Sequence, residues 1–230
     1  MKTLNEISIF YKTDKVDNGY IPYYEKYFEP LRDKKLNILE IGIKRETLTT
    51  PGACSLKTWK DYFVNSNIYG IDIDPKNKKY EEDRVQVFIG NQADENFISD
   101  VCDQVKEFDI IIDDGSHVNE LTIDSWNYLF PHLKSKGLYI IEDMICTYQN
   151  LDAFQVRQKA AQNNCWWGMH LLPEDISYNN DRSLLNKFFN ERIFNMDVGS
   201  NDRWKNAYGA NSPELESITF YSQICFMVKK

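Results

Sequence analysis

The chain has 230 residues, of which 42% are hydrophobic and 27% are charged, and its formal net charge is -8. This length fits one domain, and the hydrophobic fraction is sufficient for a core, which excludes a disordered chain. The acidic balance argues against nucleic acid or an anionic membrane surface as the main partner.

The chain shows no features of a membrane or secreted protein. No apolar run approaches the roughly 18 residues of a membrane-spanning helix, and the first residues lack the apolar segment of a signal peptide. The five cysteines are scattered, without a CxxC pair. These observations predict a reduced, cytoplasmic protein without a membrane span or a zinc site.

In chain order, a tyrosine-rich amphipathic stretch at residues 20–28 precedes five short apolar runs, which cover residues 36–42, 67–74, 85–89, 108–114 and 137–143. Continuous rather than alternating apolar residues are typical of strands covered on both faces, hence of a parallel sheet flanked by helices. Helical spacing predicts helices at 56–63 and 121–133. Two further strands, 217–221 and 224–228, are separated by two residues and predict a terminal antiparallel hairpin.

Residues 151–213 follow a different pattern, with predicted helices at 151–161 and 181–189 and a region rich in Gly, Asn, Ser and Asp towards the end. We interpret this segment as a lid inserted before the last two strands of a single domain, 1–230. Trp166, Trp167 and His170 could line an acceptor site there, or could anchor the core of the lid.

Acidic residues end four of the five predicted parallel strands: Glu40, Asp72, Asp74, Asp113, Asp114, Glu142 and Asp143. Ligands of such sheets bind beyond the carboxyl ends of the strands, so these side chains are expected to converge on one crevice. Any single acid could instead cap the following helix, but this explanation does not account for four strand ends together.

The motifs Leu39-Glu40-Ile41-Gly42, Gly70-Ile71-Asp72-Ile73-Asp74, Ile111 to His117 and Ile141-Glu142-Asp143 occur in an order and spacing that resemble one enzyme family. This is the class I S-adenosylmethionine-dependent O-methyltransferases that act on sugars. The metal-dependent macrolide-sugar methyltransferases of the mycinamicin type and their bacterial surface-polysaccharide relatives are the most similar. Thr13-Asp14-Lys15 and residues 217–221 also resemble that group. The resemblance implies an α/β, Rossmann-like methyltransferase fold.

The first motif suits a nucleoside ligand. Gly42 would let the backbone approach the methionyl portion of the cofactor, Glu40 would accept from its ammonium group, and Asp72 would bond the ribose hydroxyls. Asn91 stands where the family has Asp and could bond adenine, or could be an ordinary turn residue. The resemblance also assigns Thr13, Gln92 and Asp113 to the cofactor. The sequence departs from the family at residues 44–51, a longer loop before Gly52.

The second constellation is predicted to be reactive. Asp114, Glu142 and Asp143 would supply three oxygen ligands at neighbouring strand ends, which favours Mg²⁺, or Mn²⁺ or Ca²⁺, over zinc. His117 lies three residues after Asp114, and the resemblance gives it the role of general base. A helix-capping or exposed histidine is the alternative for this residue.

We therefore expect a metal-assisted O-methyltransferase that acts on a small sugar or nucleotide-sugar-like acceptor. A nicotinamide-dependent sugar oxidoreductase is an alternative, but it would need G-x-G-x-x-G after the first strand, where only Gly42 stands. A non-catalytic nucleoside-binding protein is another. The amphipathic stretch at 20–28 could also serve as the interface of a homo-oligomer.

Overall fold

A single sheet of seven strands forms the centre of the protein in a computed structural model that describes residues 2–43, 51–148 and 182–230. The strands are β1 (Asn37–Ile41), β2 (Asn67–Asp72), β3 (Val85–Ile89), β4 (Phe108–Asp113), β5 (Leu133–Ile141), β6 (Leu215–Tyr221) and β7 (Ile224–Lys229). Their order is β3-β2-β1-β4-β5-β7-β6. The first five strands run parallel, and β7 pairs antiparallel with both β5 and β6.

Helices cover both faces of this sheet, as the continuous apolar runs predict. The helices are α1 (Leu4–Tyr11), α2 (Ile21–Phe28), α3 (Cys54–Tyr62), α4 (Glu95–Val105), α5 (Asn119–Leu129), α6 (Arg182–Val198) and α7 (Asp202–Tyr208). Helices α1, α2 and α3 share one apolar cluster with one face of the strands, and α4, α5 and α6 share a second cluster with the other face. The predicted α/β fold, with a mostly parallel sheet and a terminal antiparallel hairpin, is confirmed.

Several details differ from the predicted elements, and helices α1 and α7 were not predicted. Helix α5 ends at Leu129 rather than at residue 133, because a short 3-10 turn containing Pro131 follows and proline has no amide hydrogen to continue the helix. Strand β5 begins at Leu133, which pairs with Phe108 of β4 before an irregularity in the register. Helix α4 has no counterpart among the predicted elements, although the Asp94 side chain caps its first turn.

The described part of the predicted lid packs on the sheet layer. Helix α6 buries Leu185, Phe188 and Phe189 in the same cluster as Trp126 of α5. The predicted helix at 151–161, the loop 44–50, and Trp166, Trp167 and His170 lie outside the described residues. Within the described ranges, every helix is too short or too polar to cross a lipid bilayer.

Candidate active site

The carboxyl ends of β1, β4 and β5 meet at one edge of the sheet. Ile41 of β1 aligns with Asp113 of β4, and Asp113 aligns with Ile141 of β5. The backbone continues this alignment past the strands, since Asp114 N donates to Ile41 O at 3.0 Å and Glu142 N donates to Asp113 O at 3.0 Å. The acidic ends of three adjacent strands therefore lie side by side at one edge of the sheet, as the sequence predicts.

Three side chains at this edge have the geometry of a metal-binding group. Asp114, His117 and Asp143 each offer one ligand atom, and these atoms lie within 4.8 Å of one another. His117 Nε2 is 3.6 Å from Asp143 Oδ2, and the two side chains are 9% and 15% exposed. Burial lowers the pKa of His117, although the charge of Asp143 opposes this shift. Two carboxylates and an imidazole in this arrangement could hold a divalent cation or move a proton.

The backbone is strained at two members of this group. His117 has φ 56° and Asp143 has φ 51°, in the left-handed region that residues other than glycine rarely adopt. Asp, Asn and His tolerate this region better than most residues, which fits the residue types found there. Strained backbone conformations persist only where the surrounding structure holds them, and they are found most often at active sites.

Glu142 is predicted to bind a metal ion, but its side chain contacts a lysine and a tyrosine in the structure. Its Oε1 accepts a hydrogen bond from Lys15 Nζ at 2.7 Å and another from the Tyr24 hydroxyl, and the group with ligand geometry does not include it. Burial raises the pKa of Glu142 to about 7, against the lowering effect of Lys15 and Tyr24. Lys15 is itself buried, so its ammonium needs carboxylate partners at this depth.

Two tyrosines of the N-terminal segment hold the acids that follow β5. Tyr20, at the start of α2, donates to Asp143 Oδ1 at 2.6 Å, and Tyr24 donates to Glu142. Burial and the bond to Asp143 raise the pKa of Tyr20, so its hydroxyl stays protonated and remains a donor. The sequence pattern alone indicates core packing, an interface or a cover for these tyrosines, and it contains no signal for these bonds.

The predicted cofactor side of the site is built around β1 and β2. Glu40 is fully buried, and Trp59 Nε1 donates to its Oε2 at 3.0 Å. The Asp72 carboxylate accepts from Ile43 N and from Asp74 N, each at 2.7 Å, and thereby ties the ends of the two strands together. Burial raises the pKa of Asp72 despite these bonds.

Of the remaining predicted cofactor residues, Gln92 and Asp113 accept hydrogen bonds from the loop that carries His117. Gln92 Oε1 accepts a hydrogen bond from Ser116 N at 2.8 Å and so holds this loop in place. Asn91 Oδ1 accepts from Ala93 N at 3.0 Å, a local turn contact. Asp113 Oδ2 and Thr13 Oγ1 are buried atoms without a hydrogen-bond partner among the described residues, and burial raises the pKa of Asp113 to about 7. A polar cofactor could satisfy such atoms.

Gly42 is required where β1 approaches the loop after β4. Its φ is +90°, and a Cβ at this position would overlap the carbonyl oxygen of Asp114. We expect Gly42→Ala to lower the free energy of unfolding by about 3 kcal/mol or more, because backbone strain and steric overlap add. Urea unfolding followed by tryptophan fluorescence measures this loss.

Gly19→Ala is the matched control for this prediction. Gly19 has φ +73°, but no atom lies within 4 Å of the position of an added Cβ. Only the strain contributes there, so the expected loss is about 1–2 kcal/mol. Equal losses in the two variants would contradict the close approach of Gly42 to Asp114.

Comparison with known proteins identifies O-methyltransferases that are similar to this chain. Demethylmacrocin O-methyltransferase of Streptomyces fradiae is 38% identical over 147 residues, which are 63% of this chain and 37% of that enzyme. The 8-demethyl-8-alpha-L-rhamnosyl tetracenomycin-C 2'-O-methyltransferase of Streptomyces olivaceus is 36% identical over 129 residues, which are 56% of this chain and 34% of that enzyme. The chain is therefore similar in sequence to part of these O-methyltransferases. The resemblance predicted from the motifs is confirmed.

A solved structure of a similar enzyme supports the same conclusion. The methyltransferase MycE of the mycinamycin biosynthetic pathway, in complex with Mg, S-adenosylhomocysteine (SAH) and mycinamycin VI, superimposes with a TM-score of 0.73 and 27% identity. The alignment covers 99% of this chain and 54% of MycE. The chain thus spans about a third of the two curated relatives and about half of MycE. No protein-family model matches the chain.

Proposed function

We propose that this protein is a divalent-metal-dependent O-methyltransferase that transfers the methyl group of S-adenosylmethionine to a sugar hydroxyl. The observation that carries this proposal is the group of Asp114, His117 and Asp143, whose ligand atoms lie within 4.8 Å of one another at the sheet edge where Glu40 and Gly42 also lie. The homologous enzymes and the ligands of MycE support it.

The donor would bind over β1 and β2. Gly42 has no side chain to keep the methionyl portion away, Glu40 would accept from the donor ammonium, and Asp72 would accept from the ribose hydroxyls. Asn91 would lie near the adenine. The buried atoms Thr13 Oγ1 and Asp113 Oδ2 lack hydrogen-bond partners among the described residues and would form hydrogen bonds with the bound S-adenosylmethionine. Gln92 would act indirectly, because it holds the loop that carries His117.

Asp114 and Asp143 would hold Mg²⁺, since Mg²⁺ is bound in many enzymes by one or two carboxylates together with water and substrate oxygens. Glu142 would be a third ligand through the carboxylate oxygen that Lys15 does not contact. When bound, the cation lowers the pKa of an acceptor hydroxyl.

His117 would accept the hydroxyl proton as the acceptor oxygen attacks the methyl carbon of the donor. The new bond joins carbon and oxygen, and the broken bond joins carbon and sulfur, whose electron pair remains on the sulfur of SAH. The nearby Asp143 carboxylate, 3.6 Å from His117 Nε2, would stabilise the imidazolium that forms. Alignment of the two substrates would supply much of the rate enhancement.

The acceptor is a small molecule that carries a sugar, as the names of the relatives indicate for those enzymes. We propose that the segment 151–213 contributes contacts to this acceptor. The oligomer interface expected at residues 20–28 is not proposed, because Ile21, Tyr24 and Phe28 are buried in the core of the protein itself. A cytoplasmic location is part of the proposal. It is supported by the buried thiols of Cys102 and Cys225, which form no disulfide bond within the described residues.

Titration calorimetry with SAH, with and without Mg²⁺, tests the proposal. We expect SAH to bind, and we expect SAH to be released from S-adenosylmethionine when Mg²⁺ and a glycosylated macrolide are present but not after chelation with EDTA. Absence of heat with SAH would contradict the methyltransferase proposal. Binding without metal-dependent turnover on a panel of glycosylated acceptors would favour the non-catalytic nucleoside-binding protein.

A further inference from the structure

Lys15 is a buried cation at the centre of the site. Its side chain is 1% exposed, and it lies in the segment between α1 and α2, outside any regular element. Its Nζ is 2.7 Å from Glu142 Oε1, 2.9 Å from Asp114 Oδ2 and 3.1 Å from Glu40 Oε1. The contact with Glu40 is an ion pair without hydrogen-bond alignment, whereas the other two are hydrogen bonds.

The three carboxylates around this ammonium come from the ends of three adjacent strands. Glu40 belongs to β1, and Asp114 and Glu142 follow β4 and β5 directly. Like charges at this depth repel one another strongly, and a buried ammonium without partners would be equally unfavourable. The cation and the three acids therefore stabilise one another, and their positions are interdependent.

This arrangement joins the two halves of the site. Glu40 is on the side proposed to bind the donor, and Asp114 is on the side proposed to bind the metal, so one ammonium contacts both. We propose that Lys15 is a positioning residue that holds Glu40 in place for the donor and Asp114 and Glu142 in place for the metal. This inference rests on the proposed function, and it assigns Lys15 no contact with the reacting atoms.

Two neighbouring side chains each donate a hydrogen bond to only one half of the site and supply matched controls. Trp59 donates to Glu40 and to no other member of the site. Tyr20 donates to Asp143 Oδ1 and lies on the metal side. Substitution of either residue by Phe removes one hydrogen-bond donor and leaves Lys15 in place.

Calorimetric titration of each variant with SAH and, separately, with Mn²⁺ distinguishes a shared role from a local one. We expect Lys15→Met, which keeps most of the side-chain volume, to weaken the affinity for both SAH and Mn²⁺ by about tenfold or more, the range that supporting residues of metal sites show. We expect Trp59→Phe to weaken only SAH binding and Tyr20→Phe to weaken only Mn²⁺ binding.

An unchanged or tighter affinity of Lys15→Met for either SAH or Mn²⁺ would overturn the inference, because Lys15 would then serve only one half of the site or only folding. If Lys15→Met fails to fold, the double variant Lys15→Met/Glu142→Gln replaces it, because this variant removes one negative charge together with the cation. The single variant Glu142→Gln is then the reference for the double variant. SAH binding must be about tenfold weaker in the double variant than in that reference. A wild-type protein that binds neither SAH nor Mn²⁺ would contradict the proposed function itself.

Discussion

Replacement of His117 by Asn is expected to lower kcat by about 10²–10⁴-fold, the contribution of a positioned general base, while the affinity for SAH stays nearly unchanged. The imidazole is the only neutral base in the group of Asp114, His117 and Asp143. Asn is a better choice than Ala, since residue 117 has φ 56° and Asn tolerates this conformation. Steady-state release of SAH, together with calorimetry, measures both quantities.

His132→Asn is the matched control for this variant. His132 lies in the 3-10 turn before β5, and its Nδ1 is 3.2 Å from Lys106 O, on the opposite end of the sheet from the site. We expect its kcat to equal that of the wild type. Near-normal turnover of His117→Asn would refute the role of His117 as base.

Replacement of Asp143 by Asn is expected to weaken the affinity for Mg²⁺ by about 100-fold, because the variant loses one of the negative charges proposed to bind the metal. Asn keeps the shape of the side chain and accepts the φ of 51° found at this residue. The amide can still accept the hydrogen bond from Tyr20, so the support from α2 is preserved. The rate measured against the concentration of Mg²⁺ gives this change.

Asp103→Asn is the control for the loss of one negative charge, since Asp103 lies on the surface and is 80% exposed. The Mg²⁺ dependence of this variant should match the wild type. If Asp143→Asn needs no more Mg²⁺ than the wild type, Asp143 is not a ligand of the metal.

The two variants also separate the roles within the group. High Mg²⁺ should restore much of the rate of Asp143→Asn but none of the rate of His117→Asn. If the imidazole is instead a metal ligand, His117→Asn will need more Mg²⁺ than the wild type. The comparison therefore assigns the base and the ligand independently of the relatives.

The sheet could be predicted because its signals are local. The continuous apolar runs 110–112 and 224–227 are buried at every position, on both faces of the sheet, so they indicate strands covered on both sides. The first part of β5 could not be predicted, because Lys134, Ser135 and Lys136 are polar and partly or fully exposed there. Its strand conformation depends on pairing with β4, which is a tertiary contact.

The candidate site could be predicted in outline only. Parallel strands bring their carboxyl ends together, so acids such as Asp114 and Asp143 could be placed in one crevice from their strands alone. The environment of Glu142 could not, since its partner Lys15 is 127 residues away in the sequence. A buried lysine has no local signature, and the tyrosines of α2 have the same helical spacing as ordinary core residues.

The N-terminal segment that supplies Lys15, Tyr20 and Tyr24 has a consequence for protein engineering. A chimera could join the first 30 residues of one homologue to the sheet of another. Its hydrogen-bond donors, at positions 15, 20 and 24, would then come from a different parent than the carboxylates that they contact. A crossover point soon after residue 30 would therefore exchange the residues that hydrogen-bond to Glu142 and Asp143 without exchanging these two acids. Recombination libraries should inherit residues 13–24 and residues 108–148 from the same parent.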